Sequence, residues 1–139
     1  MRVALLIIAF ASSAACGAEP RVSGPDAKAI RAVVQSQLDA FASDDGAKAF
    51  SYAAPGIRGK FGSPEVFMAA VREGYAVVYR PASVSFLPAY REDGETFQPV
   101  RMTDDGGLVW LALYRMEKQK SGVWRIAGCS LARVAGAST

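Results

Sequence analysis

Tyr75, Tyr79 and Arg80, with Tyr52 upstream, form the cluster best equipped for chemistry in this 139-residue chain. Phenols beside a guanidinium can hold an anionic or aromatic ligand, through a bidentate arginine contact and ring stacking. The same residues admit a structural reading. Arg80 would then stack on a tyrosine or pair with an acid, fastening helices to a sheet, and a buried tyrosine commonly carries a structural hydrogen bond. The histidine count of 0 removes most other chemistry. It excludes Ser-His and Cys-His nucleophile pairs, imidazole bases and imidazole metal ligands. The acids do not compensate, because Asp26, Asp44, Asp45, Asp93, Asp104 and Asp105 stand where helix caps and turns need them. Asp104-Asp105-Gly106-Gly107 lacks the further oxygen ligands of a calcium loop. No phosphate-cradling glycine loop occurs. These residues name no catalytic group, no metal ligand and no cofactor.

Composition narrows the partners. Hydrophobic residues are 51% and charged residues 21%, values of a folded domain and not of a disordered chain. A net charge of +3 is too small to argue for nucleic acid. Lys118, Lys120 and Arg125 make a mild basic patch around a hairpin, read as a solvated edge.

Residues 1–18 read as a secretory signal: Arg2, an apolar run from Val3 to Ala11, then small residues before Glu19-Pro20. The run is too short for a membrane span, which needs ~20 apolar residues. Cys16 and Ala18 satisfy the small-x-small rule, so cleavage is placed after Ala18. The alternative is lipoprotein processing with a lipid anchor on Cys16. With the leader, the alanine-rich, arginine-over-lysine composition points to a bacterial periplasmic or secreted address. Once the leader is removed Cys129 is the only cysteine, read as a small buried apolar group.

The elements that must position the tyrosine cluster follow in order. Residues 19–25 form a lead-in, 26–135 a single domain and 136–139 a tail. Asp26 caps a first helix to about Ser43, with Ile30, Val33, Val34, Leu38 and Phe41 on one face and Arg31, Gln35 and Asp39 on another. Asp44 or Asp45 caps a second, with Ala47 and Phe50 inward, ended by Pro55-Gly56. Ser63-Pro64-Glu65 opens a third, with Phe67, Ala70 and Val71 inward and Gly74 as its left-handed stop. From Tyr75 the pattern is of strands: Val77–Tyr79, 83–92 to a hairpin at Asp93-Gly94, 96–103 with Pro99 at an edge or bulge, 108–118 and 123–133. The sum is an α+β domain with helices on one face of a curved antiparallel sheet.

Two features sharpen it. In the last strand Trp124 and Ile126 share parity, but Cys129 and Leu131 do not, so a bulge is expected at Gly128. In the preceding strand both faces are apolar. With Val109, Leu111 and Leu113 against the helices, Trp110, Ala112 and Tyr114 would face outward and pair two copies as a homodimer.

The order of helices and then antiparallel strands ending in Gly-x-Trp-Arg-Ile resembles the cone-shaped, cystatin-like fold of nuclear transport factor two and the ketosteroid isomerases. More narrowly, the chain resembles the bacterial domain-of-unknown-function family numbered 4864. The residues that carry this are Gln37 to Phe41, Phe50 to Ile57, Phe61 to Phe67, Gly74-Tyr75 with Val78-Tyr79-Arg80-Pro81, and Trp124-Arg125-Ile126-x-Gly128-Cys129. The resemblance implies a fold and an exported address but no reaction, and it places Tyr75, Tyr79 and Arg80 near the mouth of the cone. The leading expectation is non-catalytic binding of a small ligand or an envelope partner. The alternatives are a small-molecule enzyme using Tyr and an acid in the cone, and a structural subunit of an envelope assembly. The dehydratases of the superfamily rely on histidine, which counts against an enzyme here.

Overall fold

The computed structural model describes residues 21–138; the leader, Cys16 and the cleavage at Ala18 lie outside the described residues. Helix α1 (Gly24–Ala42) buries Ile30, Val34, Leu38 and Phe41, spaced so that one stripe faces the sheet. The opposite face stays exposed, with Gln35 Nε2 donating to Asp39 Oδ1 at 3.0 Å. Ser23, not Asp26, caps this helix: its hydroxyl accepts from the Asp26 N–H at 3.3 Å. Asp26 is taken by a distant partnership. Its carboxylate accepts from Trp124 Nε1 at 3.1 Å and Lys118 Nζ at 3.3 Å, tying the start of α1 to the last hairpin.

Asp45 caps α2 (Gly46–Ser51), in which Ala49, and not Ala47, is buried. Pro55-Gly56 does not end this helix but opens another, α3 (Pro55–Phe61). A proline at the first helical position loses nothing, because that N–H has no helical partner anyway. Ser63 caps α4 (Pro64–Gly74), which buries Phe67, Met68 and Val71. Gly74 is simply its last residue and is not left-handed; Tyr75 makes the stop. Val77–Tyr79 is a helical turn, α5 (Ala76–Tyr79), and not a strand. The neighbours Val77 and Val78 are both buried, as the inner side of a helical turn allows. Pro81 then holds Arg80 out of helical geometry and ends the turn.

The sheet is antiparallel. It contains β1 (Ser83–Phe86), β2 (Tyr90–Glu92), β3 (Glu95–Thr103), β4 (Leu108–Lys118) and β5 (Trp124–Ser138). Its order is β1-β3-β4-β5, with β2 also on β3. Asp93 and Gly94 sit at φ 50° and 78°, the paired positive values a two-residue hairpin of matching twist requires. The strand expected over 83–92 is broken at Leu87-Pro88-Ala89, opposite Pro99, which therefore lies in an interior strand. Leu87 N–H donates to the Pro99 carbonyl at 3.1 Å. A normal ladder would return a bond from residue 99 to the Leu87 carbonyl, and proline has no N–H to give. The buried Gln98 side chain supplies it, Nε2 donating to Leu87 O at 2.7 Å and Pro99 O at 2.8 Å.

The bulge in β5 is present. Arg115 pairs with Gly128 and Met116 with Ile126, so Ala127 is the extra residue. Trp124 and Ile126 before it, and Cys129 and Leu131 after it, all pack on the core. The orientation of β4 is the reverse of the expected one. Ala112 and Tyr114 are 0% and 1% exposed, and with Trp110 and Met116 they join the core under the helices. Leu111 and Leu113 take the other face, half-buried. Ala112 and Tyr114 are thus interior and Trp110 is half-buried, so the outward aromatic face expected of this strand is not formed.

Candidate functional site

A cavity of about 630 Å³ opens where α1, α3 and α4 meet β4 and the bulged part of β5. That is within the ~300–1,000 Å³ range of small-molecule sites. The chain builds it from spaced apolar residues. Phe41 comes from α1, and Phe67 and Val71, one turn apart, from α4. Ile57 and Phe61, four apart on α3, close one side. Phe67 is the hub of the aromatic wall, its ring centroid 5.9, 5.5 and 5.5 Å from those of Phe41, Phe50 and Phe61.

The position of α3 is set by backbone bonds at the edge of β5. Ile126 N–H donates to Tyr52 O at 2.9 Å and Ala54 N–H to Ile126 O at 2.8 Å, so the link between α2 and α3 runs beside the bulge. None of the residues of α3 is fully buried. Its apolar pair lines the cavity and packs against the core.

Two polar groups meet in this wall. Tyr114 on β4 and Cys129 on β5 are register partners and both line the cavity. The Tyr114 hydroxyl is buried, with the Cys129 thiol as its polar neighbour and no nitrogen or oxygen partner among the described residues. Burial, and then the neighbouring Cys129, push the phenol well above its ordinary range. Burial likewise pushes the Cys129 thiol up to about 12, against a smaller downward pull from Tyr114. Both groups are therefore neutral throughout the physiological range, and the thiol is a poor nucleophile. Native protein treated with a thiol reagent at pH 8 is expected to label Cys129 at least about a hundredfold more slowly than denatured protein, since about one thiol in ten thousand is ionised at that pH. Labelling at comparable rates would show an accessible thiolate instead.

The four residues singled out in the sequence are not brought to one place. Tyr79 and Arg80 are together: the Tyr79 hydroxyl and Arg80 Nη2 both bond the Asp44 carboxylate, Nη2 at 3.0 Å, and Arg80 Nη1 donates to Ala42 O. The Arg80 guanidinium stacks 4.8 Å from the Tyr79 ring centroid. The bond from Tyr79, and then the charges of Arg80 and Arg72, hold Asp44 below the usual carboxylate range. This arrangement fastens α5 to the turn after α1, the structural reading of the cluster. Tyr75 instead lines the cavity beside β4 and β5, exposed at its rim. Tyr52 contributes its carbonyl to the edge of β5. Tyr114, expected from the sequence to face outward, is a core residue. Counting back from the hairpin, Lys118 pairs with Trp124, Met116 with Ile126 and, past the bulge, Tyr114 with Cys129, so Tyr114 shares their core face.

Among the described residues no group of three or more His, Cys, Asp or Glu side chains converges to hold a metal ion. None of their helices is long and apolar enough to cross a membrane. Helices on one face of an antiparallel sheet, with an apolar cavity against them, define an α+β domain of the open-sheet type. The family model described as Domain of unknown function (DUF4864) matches residues 23–139, and the chain belongs to that family. No curated protein and no solved structure matches it.

Proposed function

We propose that this domain is a non-catalytic binding protein that holds a small molecule in the cavity between its helices and β4–β5. The observation that carries this reading is the cavity itself: a volume of ligand size, walled by Phe41, Phe61, Phe67 and Val71. Its polar lining groups include Tyr114, which is buried, and Cys129, which is half-buried rather than the fully buried group expected; both are neutral and poorly suited to acid-base or nucleophilic work. The helices against one face of the sheet support a cone of the nuclear transport factor two kind, and the leader supports export to the periplasm. The cell envelope is then where the ligand would be met.

A neutral naphthylamine dye that brightens in apolar surroundings tests the reading. Wild-type protein is expected to bind it, and Ala70→Trp to weaken binding by about tenfold or more while keeping the circular dichroism of the fold, because Ala70 lines the cavity from α4 and an indole there fills it. Failure of the wild type to bind, or equal binding by the folded variant, would count against the cavity as a ligand site.

A further inference from the structure

Resting on that reading, we infer the chemical class of the ligand: a short peptide in extended conformation, added as a strand along the free edge of β5 with an apolar side chain in the cavity. β5 is the last strand of the sheet. Among the described residues its outer edge is bridged at one point, where Ala53 lies parallel to Ile126. Tyr52 and Ala54 exchange backbone bonds with Ile126 there, so this edge already takes an added strand for one residue. Pro55, which has no N–H, then opens α3 and the chain leaves the edge. Residues 128–133 continue in regular register with β4 and have no strand on their other side. Alternate residues of such a strand turn N–H and C=O outward, where a further strand can pair.

The cavity follows this edge on both sides of the sheet. Tyr114 and Cys129 line it from the core face, and their neighbours Leu113, Arg115 and Ser130 from the opposite one. The space therefore wraps around β5 at residues 128–130. A compact molecule would use one side; an extended peptide sends successive side chains to alternate sides and uses both. On the inner side Phe61 and Phe67, 5.5 Å apart between ring centroids, and Val71 receive a bulky apolar side chain. No charged side chain is buried there to offset an ionic one. The opposite edge of the sheet is protected. β1 has four residues set between Pro81 and Pro88, and β2 has three, including Arg91 and Glu92. Residues 127–138 contain no proline and one charge, Arg133. A second copy fits this edge less well than a peptide. Paired antiparallel, its β5 would run on past residue 133 into the place that residues 52–54 hold beside Ile126, whereas a peptide can stop short.

The test uses a blocked hexapeptide, acetyl-Lys-Thr-Phe-Thr-Val-Lys-amide, and two N-methylated isomers, each methylated at two alternate residues so that one edge of the extended chain loses its N–H groups. Wild type is expected to bind the parent, and Ala70→Trp to bind it about tenfold or more weakly. One isomer should bind like the parent. The other should bind about tenfold or more weakly, having lost two backbone hydrogen bonds. The parent should also slow amide exchange over residues 128–133. Equal effects of the two isomers, or unchanged exchange over 128–133, overturn strand addition and leave the cavity reading standing. Binding of the naphthylamine dye without binding of the parent at about 1 mM does the same. A wild type that sediments as a dimer, with residues 128–133 protected in the absence of peptide, overturns it by assigning the edge to a second copy. If neither dye nor peptide binds wild type, the cavity reading itself fails, and this inference with it.

Discussion

Phe41→Ala is expected to lower the unfolding free energy by about 3–5 kcal/mol, the range for deleting a fully buried aromatic ring. Phe41 is 1% exposed and lies on the inward stripe of α1. Its ring meets Phe67 of α4 and, at 6.5 Å between centroids, Tyr79 of α5. Three helices are thus keyed to one side chain, and the surrounding groups cannot collapse into the void without shifting a helix. Phe41 also lines the cavity between the helices and β4–β5, so the deletion enlarges a space already present. Urea unfolding followed by tryptophan fluorescence measures the loss. A cost under about 1 kcal/mol would mean that the helices repack without the ring, against the close packing expected of such a core.

Gln98→Leu is expected to cost about 1–3 kcal/mol, although the replacement is apolar, similar in size and placed at a position only 3% exposed. The loss arises because Leu87 O is left without its donor where β1 and β2 are interrupted. The origin of the effect is testable in the same experiment. A Val at position 99 regains a backbone N–H directed at that carbonyl, so Pro99→Val added to Gln98→Leu should recover part of the loss. Pro99→Val alone should change little, because Gln98 already occupies the carbonyl. If the double variant is no more stable than Gln98→Leu, the side chain is not standing in for the missing ladder bond.

Legibility in the sequence varied by element, for identifiable reasons. The first helix, the Ser63-Pro64-Glu65 start, the Asp93-Gly94 hairpin and the bulge before Cys129 rest on interactions among near neighbours, and each is found at its place. Asp26 reads from the sequence as the cap of the first helix, but it has a partner far along the chain in Trp124, and Ser23 caps the helix instead. Pro55-Gly56 was ambiguous for a local reason: a proline can stop one helix or occupy the first position of the next, and only the docking of residues 52–54 on β5 decides between them. Pro99 read as an edge residue because its remedy, the Gln98 amide, depends on a break in the neighbouring strand.

The site divides in the same way. Tyr79 and Arg80 announced themselves by type, and the acid they hold, Asp44, lies far from them in the chain. Tyr114 reads from the sequence as an outward aromatic and Cys129 as a small buried thiol, and register places them side by side on the core face. By itself the sequence determined the α+β class, the order of elements and the two-sided apolar character of β4, because each follows from periodicity and turn chemistry over a few residues. Tertiary structure alone decided which face of β4 meets the helices, and with it whether Tyr114 is a surface aromatic or an enclosed one. The reason is symmetry: strand alternation defines two faces but assigns neither to the core. Only the pairing of β4 with the bulged β5, whose Trp124 and Ile126 are buried, breaks the tie.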